Sequence, residues 1–537
     1  METVYTPPEM VLNIKMTGNF TRLSGFAGLF AVLALSACAL PGNTNQPETG
    51  NFAEPAAAEV IAVGFDNITD KYIEPVALRR IGIDGLRGLG SIDAGLTLTD
   101  QSDEIIMYEH GQEIGRMHVP PENDIRAWAA AVVALTEKAR NNSREIRAAS
   151  SEKIYEALFD GALSDLDIFS RYAGMSEATR NRARRDGFGG IGIRFRMEDD
   201  GAIVTQVIEQ TPADESGIRP GDYILKIDGR TIQGMANSAV TQLIRGPVHS
   251  LINLTLSRPE SVQPFSINVM RTHIVPESVA WQVENGIGIA TISNFNQETA
   301  NSFEKILSKA MAPDASPLAG LILDLRGNPG GLLRQSIQVA DLLLTQGDIL
   351  STRGRHPDSL HHYQAGGRDL AAGHPVVVII DGKSASAAEI VTAALQDRDR
   401  AVVIGTSSYG KGSVQTVIRL PNEGEITLTW SKFVAPSGYF IHGLGVVPTI
   451  CTSGQSDINN VANTIETSLQ GEQAAKTTSW RRRGFLHDEE RKLMRSGCPA
   501  ETRKGPYDLE IAKRLILNER LHARALRMTT ATAQATN

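Results

Sequence analysis

A chain of 537 residues is too long to close around one hydrophobic core, so about three domains are expected. Its formal charge of −8, with basic residues scattered along the chain, leaves no nucleic-acid footprint. Apolar content of 41% is ordinary for globular protein apart from one N-terminal patch. The 11 histidines are dispersed, with no His-x-x-x-His and no paired cysteines at ligand spacing, so neither a metal nor another cofactor is expected.

The apolar patch runs from Leu23 to Ala37, after Lys15 and Arg22 and before Cys38. A basic region, a short apolar run and small residues make a secretory signal too short to span a bilayer. Leu35-Ser36-Ala37-Cys38 resembles a bacterial lipoprotein cleavage box. That resemblance implies lipidation at Cys38, attachment to a membrane and a periplasmic location, with 1–38 removed as signal; Met1 and Met16 compete as the start. With Cys38 lipidated, Cys451 and Cys498 remain, and in an oxidising compartment they are expected to pair.

Residues 39–58, rich in Pro, Asn, Gly, Thr and Ala, read as a flexible tether. Residues 59–186 read as a mainly helical domain, with helices over Glu59–Tyr72, Asp124–Ala148 and Ser151–Ser164 and a hairpin-like interruption near 95–118. No chemistry is apparent there. The next segment, 187–272, has short strands, turns and one helix. Gly190-Ile191-Gly192-Ile193, Gly217-Ile218-Arg219-Pro220-Gly221-Asp222 and Ile224-Leu225-Lys226-Ile227-Asp228-Gly229 together resemble a PDZ domain. Such a domain adds an extended C-terminal peptide to a sheet edge, and N–H groups of a Gly-rich loop hold the carboxylate. The resemblance implies Gly190, Ile191, Gly192 and Ile193 as that loop, with the two isoleucines lining the pocket. Gly187-x-Gly189-x-x-Gly192 also spells a dinucleotide fingerprint, but a charged helix precedes it and a strand follows, so it is rejected.

Residues 273–450 alternate strand and helix, which predicts a largely parallel sheet with right-handed crossovers. Strands are expected at Ile287–Ser293, Gly320–Leu325, Asp348–Ser351, Val376–Ile380 and Ala401–Ile404, and helices at Gln297–Ala312 and Leu332–Leu344. The five β-branched residues Val376–Ile380 lead through Asp381-Gly382-Lys383-Ser384-Ala385 to Ser386, where a helix opens. A serine there meets free N–H groups and the positive end of the helix dipole. In the later segment Tyr409-Gly410-Lys411-Gly412-Ser413-Val414-Gln415, period-2 alternation places residues 411, 413 and 415 on one face. Beyond Cys451 the chain turns polar. Residues 451–537 read as a helical extension whose amphipathic helix Tyr507–Leu526 turns Ile511, Leu515 and Ile516 to a core, before an unstructured tail from Thr529.

Ser384-Ala385-Ser386-Ala387-Ala388-Glu389 and Gly410-Lys411-Gly412-Ser413-Val414-Gln415 resemble the carboxy-terminal processing peptidases, also called tail-specific proteases. Leu323-Asp324-Leu325-Arg326-Gly327-Asn328-Pro329-Gly330-Gly331 matches the same family, with Gly327 where asparagine is common. The stretch Leu163 to Tyr172 resembles the family's entry to its PDZ domain, with Ile168-Phe169 in place of Pro-His. The resemblance implies a multidomain α/β protein, with a ClpP/crotonase-like protease core, an inserted PDZ domain and a helical N-terminal region. It implies Ser386 as nucleophile, Lys411 as general base and Gln415 as the group orienting the lysine. The oxyanion hole is assigned to the Ala387 N–H and one from Gly330 or Gly331. Ala388 stands where the family has serine, at a position with no catalytic role. An exposed lysine is protonated at neutral pH, so the mechanism requires a buried amine.

Rival motifs fall on spacing. Gly405-x-x-x-x-Gly410-Lys411 lacks the Ser or Thr and the helix a phosphate loop needs, and Ser408-x-x-Lys411 would need a helix that two glycines oppose. His374 and His442, near but outside the matched segments, read as structural. The expected function is an envelope endopeptidase acting on proteins with unstructured C-termini. A catalytically silent PDZ scaffold and an acyl-CoA enzyme on a crotonase-type core are the alternatives.

Overall fold

Residues 52, 54–261, 263–470 and 488–530 are described by a computed structural model; the expected signal segment and Cys38 lie outside them. Among the described residues no helix is long and apolar enough to cross a membrane.

The N-terminal helices Glu54–Lys71, Leu78–Gly88, Ile125–Asn142 and Ser151–Leu163 pack their apolar stripes together around Phe65, Trp128 and Phe159. A three-stranded antiparallel sheet, Leu96–Asp100, Glu104–Glu109 and Gln112–His118, lies against them. Two expectations change here. The tether reaches less far than expected, because the first helix opens at Glu54, and Phe52 is buried with its ring 5.5 Å from that of Tyr155. The expected helix 124–148 is broken at Ser143, whose extended backbone ends one helix and whose Oγ accepts from the Ile146 N–H at 3.1 Å to start another.

The next unit is a sheet in the order Phe265–Met270, Leu251–Ser257, Tyr223–Ile227, Gly201–Val207, Ile193–Glu198. The last of these is an edge strand. Phe188–Gly190 pairs with Thr272–Ile274 and closes the unit at its base. Gly192, at φ +86°, lies so close to Thr211 that a Cβ would stand 2.2 Å from its Oγ1, which only glycine permits.

The core sheet runs Val279–Glu284, Ile287–Ile292, Gly320–Asp324, Val376–Ile380, Val402–Gly405, Ile450–Cys451, parallel after an antiparallel first pair. Alternation along Val376–Ile380 explains its double burial. Val376, Val378 and Ile380 pack with helices Thr299–Ala310, Leu333–Asp341 and Ala387–Asp397, while Val377 and Ile379 pack with Ile511, Leu515 and Ile516. The C-terminal residues thus form the third layer of the core rather than an appendage. Their expected single helix is two, Tyr507–Ile516 and Glu519–Thr530, parted at Asn518, whose Oδ1 accepts from Leu521 N at 3.0 Å.

A second, antiparallel sheet leans on this core, in the order His361–Gln364, Asp348–Gly354, Glu425–Val434, Ser413–Arg419. The strand expected near residue 348 therefore belongs here and not to the parallel sheet. Arg171–Ala173, from the end of the N-terminal region, pairs with Glu425–Thr427 and carries the segment before it to the mouth of the core.

Candidate active site

The turn from Val376–Ile380 into the helix Ala387–Asp397 is held from beneath. Asp381 Oδ1 accepts from the N–H groups of Gly327 (2.9 Å), Lys383 (2.9 Å) and Ser384 (3.1 Å). The Ser384 hydroxyl donates to the Leu325 carbonyl at 2.8 Å and is buried, so it is a brace and no rival nucleophile. Ser386 follows at φ 54° and ψ −113°, a positive-φ backbone rare for a residue with a side chain, and it is the N-cap of the helix.

Ser386, Ala387, Lys411, Gln415 and Gly331 line one cleft of about 880 Å³ between the parallel core and the second sheet. Glu389 assembles its floor. This wholly buried carboxylate accepts at Oε2 from the backbone N–H of Ser386 (2.8 Å) and of Lys411 (2.9 Å), and at Oε1 from the Gly410 N–H (2.7 Å) and the Ser408 hydroxyl. The backbones of nucleophile and lysine are therefore no further apart than two hydrogen bonds laid end to end, within reach of a four-carbon side chain. Burial pushes the Glu389 carboxyl above the usual carboxylate range, and the four donors pull it back.

The Lys411 amine lies 4.9 Å from the centre of the Phe169 ring. Burial lowers its pKa below the ordinary lysine value of 10.5, and the Arg171 guanidinium lowers it further, against the opposing carboxylates of Asp167 and Glu389. No hydrogen bond joins this amine to the Ser386 hydroxyl among the described residues. The expectation for Gln415 changes. Lys411, Ser413 and Gln415 all line the cleft, but the Gln415 amide donates to Ser413 Oγ (2.8 Å) and Thr429 Oγ1 (3.4 Å) instead of meeting the lysine.

The oxyanion assignment narrows. Gly330 packs against the turn, its Cβ position 2.8 Å from Ser386 Cβ, but its N–H is spent on Asn328 Oδ1 at 2.8 Å. Gly331 faces the cleft, and Ala387, at the first helical position, has no i−4 carbonyl to bond. Gly330 is thus corrected from donor to spacer. The loop of the edge-strand unit is corrected in one residue as well. Ile191 is 1% exposed and packs in that unit's own core, while Ile193 is half-buried at the start of the edge strand, after Gly190 and Gly192. Cys451 and Cys498 are joined by a disulfide. No cluster able to hold a metal occurs among the described residues.

Three contributors escaped the sequence reading. Glu389 was legible in principle, since Ser386-x-x-Glu389 is a capping-box pattern. Phe169 and Asp167 lie in a region read as chemically silent, and only the pairing of Arg171–Ala173 with the second sheet brings them in. Asp397 accepts from both the N–H (3.0 Å) and hydroxyl (2.6 Å) of Ser437 and anchors a loop.

The fold and cleft define a serine-type peptidase core of α/β architecture carrying a PDZ domain. Residues 286–452 match the model of peptidase family S41, and residues 189–269 match that of a PDZ domain. The chain is 41% identical over 302 residues to a carboxy-terminal-processing protease of Bartonella bacilliformis, across 56% of this chain and 69% of that one. It is 30% identical over 330 residues to a Staphylococcus aureus protein named "Probable CtpA-like serine protease", across 60% of this chain and 65% of that one. Among solved structures, a photosystem II D1 C-terminal processing protease matches at 20% identity and TM-score 0.35, over 75% of this chain and 93% of that one. The chain belongs to peptidase family S41, as a carboxy-terminal processing peptidase.

Proposed function

We propose that the protein is an endopeptidase of the bacterial cell envelope that engages the C-terminus of an unstructured protein at its PDZ edge strand and cleaves it with a Ser386/Lys411 dyad. The observation that carries this reading is the shared carboxylate of Glu389, which holds both backbones while the amine sits in a desolvated niche. The neutral amine takes the proton of Ser386 Oγ as that oxygen attacks the scissile carbonyl. The Ala387 and Gly331 N–H groups hold the oxyanion, the ammonium returns its proton to the leaving amine, and water then clears the ester by the same steps. The dyad closes when the Lys411 amine leaves the Phe169 ring for the Ser386 hydroxyl. Strand addition beside Ile193–Glu198 supplies the docking step. A lipid anchor at Cys38 and a periplasmic location follow from the signal-like sequence, and a disulfide-bonded chain fits an oxidising compartment.

Ser386→Ala and Lys411→Ala are each expected to abolish cleavage of an unfolded protein while leaving the melting temperature close to wild type. Near-wild-type turnover in either variant would sink the dyad. The alternative of a silent PDZ scaffold offers no reason to maintain a strained Ser386.

A further inference from the structure

We propose that Arg495, which lies beyond the span matched to the peptidase family, is a positioning residue for the dyad: it supplies the permanent positive charge that lets Glu389 stay ionised while Lys411 stays neutral. The inference rests on the dyad reading given above.

The difficulty it resolves is electrostatic. Glu389 is fully buried, which raises its pKa, yet it accepts at both oxygens from Ser386, Gly410, Lys411 and Ser408, an arrangement that suits the carboxylate form. A buried anion needs a cation. Lys411 is the obvious partner, yet a lysine that balances this charge holds its proton and cannot act as a base. The Glu389 charge is felt by both Lys411 and Arg495, and Arg171 and Asp167 also act on Lys411; Arg495 reaches Glu389 through Ser408 and not through a direct ion pair among the described residues. Burial lowers the Arg495 pKa and Glu389 opposes that shift, but a guanidinium starts high enough to keep its proton in the working range where a lysine does not.

The geometry fits that role. Arg495 stands on the helix Asp488–Ser496, which is docked by the buried Met494 and, just after it, Cys498, whose disulfide to Cys451 ties the segment to the last strand of the core sheet. From there Arg495 Nη1 donates to the carbonyls of Ser408 (3.0 Å) and Leu444 (2.6 Å). Two glycines leave room for it: a Cβ on Gly410 or Gly445 would stand 3.3 or 3.0 Å from that nitrogen. Ser408 then passes the restraint on, its hydroxyl donating to Glu389 and accepting from Val446 N at 2.7 Å. Two residues, Ser408 and Glu389, thus link a guanidinium on the C-terminal segment to the backbone N–H of Lys411.

The test compares Arg495→Met and Arg495→Lys in the full chain, using pH profiles of kcat and kcat/KM on an unfolded protein substrate, with melting curves alongside. Without the guanidinium, Glu389 either takes up a proton or draws on Lys411. Both effects move the acid limb of the profile to higher pH, because the first releases the loop and the second raises the lysine pKa. Arg495→Met is expected to lower kcat at neutral pH by roughly tenfold to a hundredfold with little change in KM. Arg495→Lys, which keeps the charge, is expected to restore most of the loss. A wild-type profile in Arg495→Met overturns the proposal. So does a loss uniform across pH, a loss that only follows the folded fraction, or one that lysine does not rescue, since each of these marks a merely structural arginine. Ser386→Ala and Lys411→Ala run in parallel separate the two readings: if they are inactive while Arg495→Met behaves as wild type, the dyad stands and the role of Arg495 falls.

Discussion

Ser386 occupies a backbone region that glycine enters freely and a side chain enters under strain. Ser386→Gly is therefore expected to be inactive yet more stable than wild type by about 1 kcal/mol, as read by denaturant unfolding; a destabilised variant would show that the turn is relaxed. At Lys411 the sign follows from which form reacts. With the free amine as the proposed base, kcat/KM should rise with pH through the Lys411 pKa, with the midpoint below the ordinary value of 10.5. Phe169→Ala admits water to the amine and also removes a cation–π contact worth about 0.5–1 kcal/mol to the ammonium. Desolvation is the larger effect on this lysine, so the acid limb should move to higher pH in Phe169→Ala. A shift to lower pH would show that the ring chiefly holds the charged form. Ser386 and Lys411, the proposed nucleophile and base, stand in motifs legible in the sequence. Phe169 was not, because nothing local to Asp167-Ile168-Phe169 announces a lysine more than two hundred residues away.

Among the elements, those fixed by burial on both faces were readable and those fixed by a single capping contact were not. Val376–Ile380 shows its place in five β-branched residues, all fully buried at the centre of the sheet. The break at Ser143 and the one at Asn518 each turn on one side-chain oxygen accepting one N–H, inside a stretch whose apolar period continues across the gap. Ser143→Ala should accordingly cost about 1 kcal/mol of stability, measured by denaturant unfolding, with no change in kcat. A loss of turnover at unchanged stability would instead tie that helix junction to the site. Bulges behave in the same way: the residue inserted opposite Val414/Gln415 is Trp430, on the partner strand, and period-2 reasoning has no place for it.

For the molecule as a whole, the cleft has a sign opposite to that of the chain. Net charge is −8, but Arg171, Arg182, Arg185, Arg334 and Arg419 line the cleft, against Asp186 and Glu425. Glu425 is already committed to Arg182 and Arg185, and Arg419 to Glu423. Arg171 and Arg334 form no ion pair among the described residues, and both are exposed. A segment threaded past Ser386 thus meets two guanidiniums outside any ion pair, one of them donating to the Phe169 carbonyl at 3.3 Å. Substrates with Glu on either side of the scissile bond should be cleaved with higher kcat/KM than the same sequences carrying Lys. Because both arginines face solvent, the preference should be modest, roughly tenfold, and should shrink as salt is raised from low to physiological strength and beyond. Arg171→Gln with Arg334→Gln should erase the Glu-over-Lys ratio. The ratio is the proper readout, since removing Arg171 also relieves a repulsion on Lys411 and so alters absolute rates for every substrate. A ratio unchanged by the double substitution would place selectivity in the apolar wall of Ile390, Val414, Trp430 and Phe433 instead.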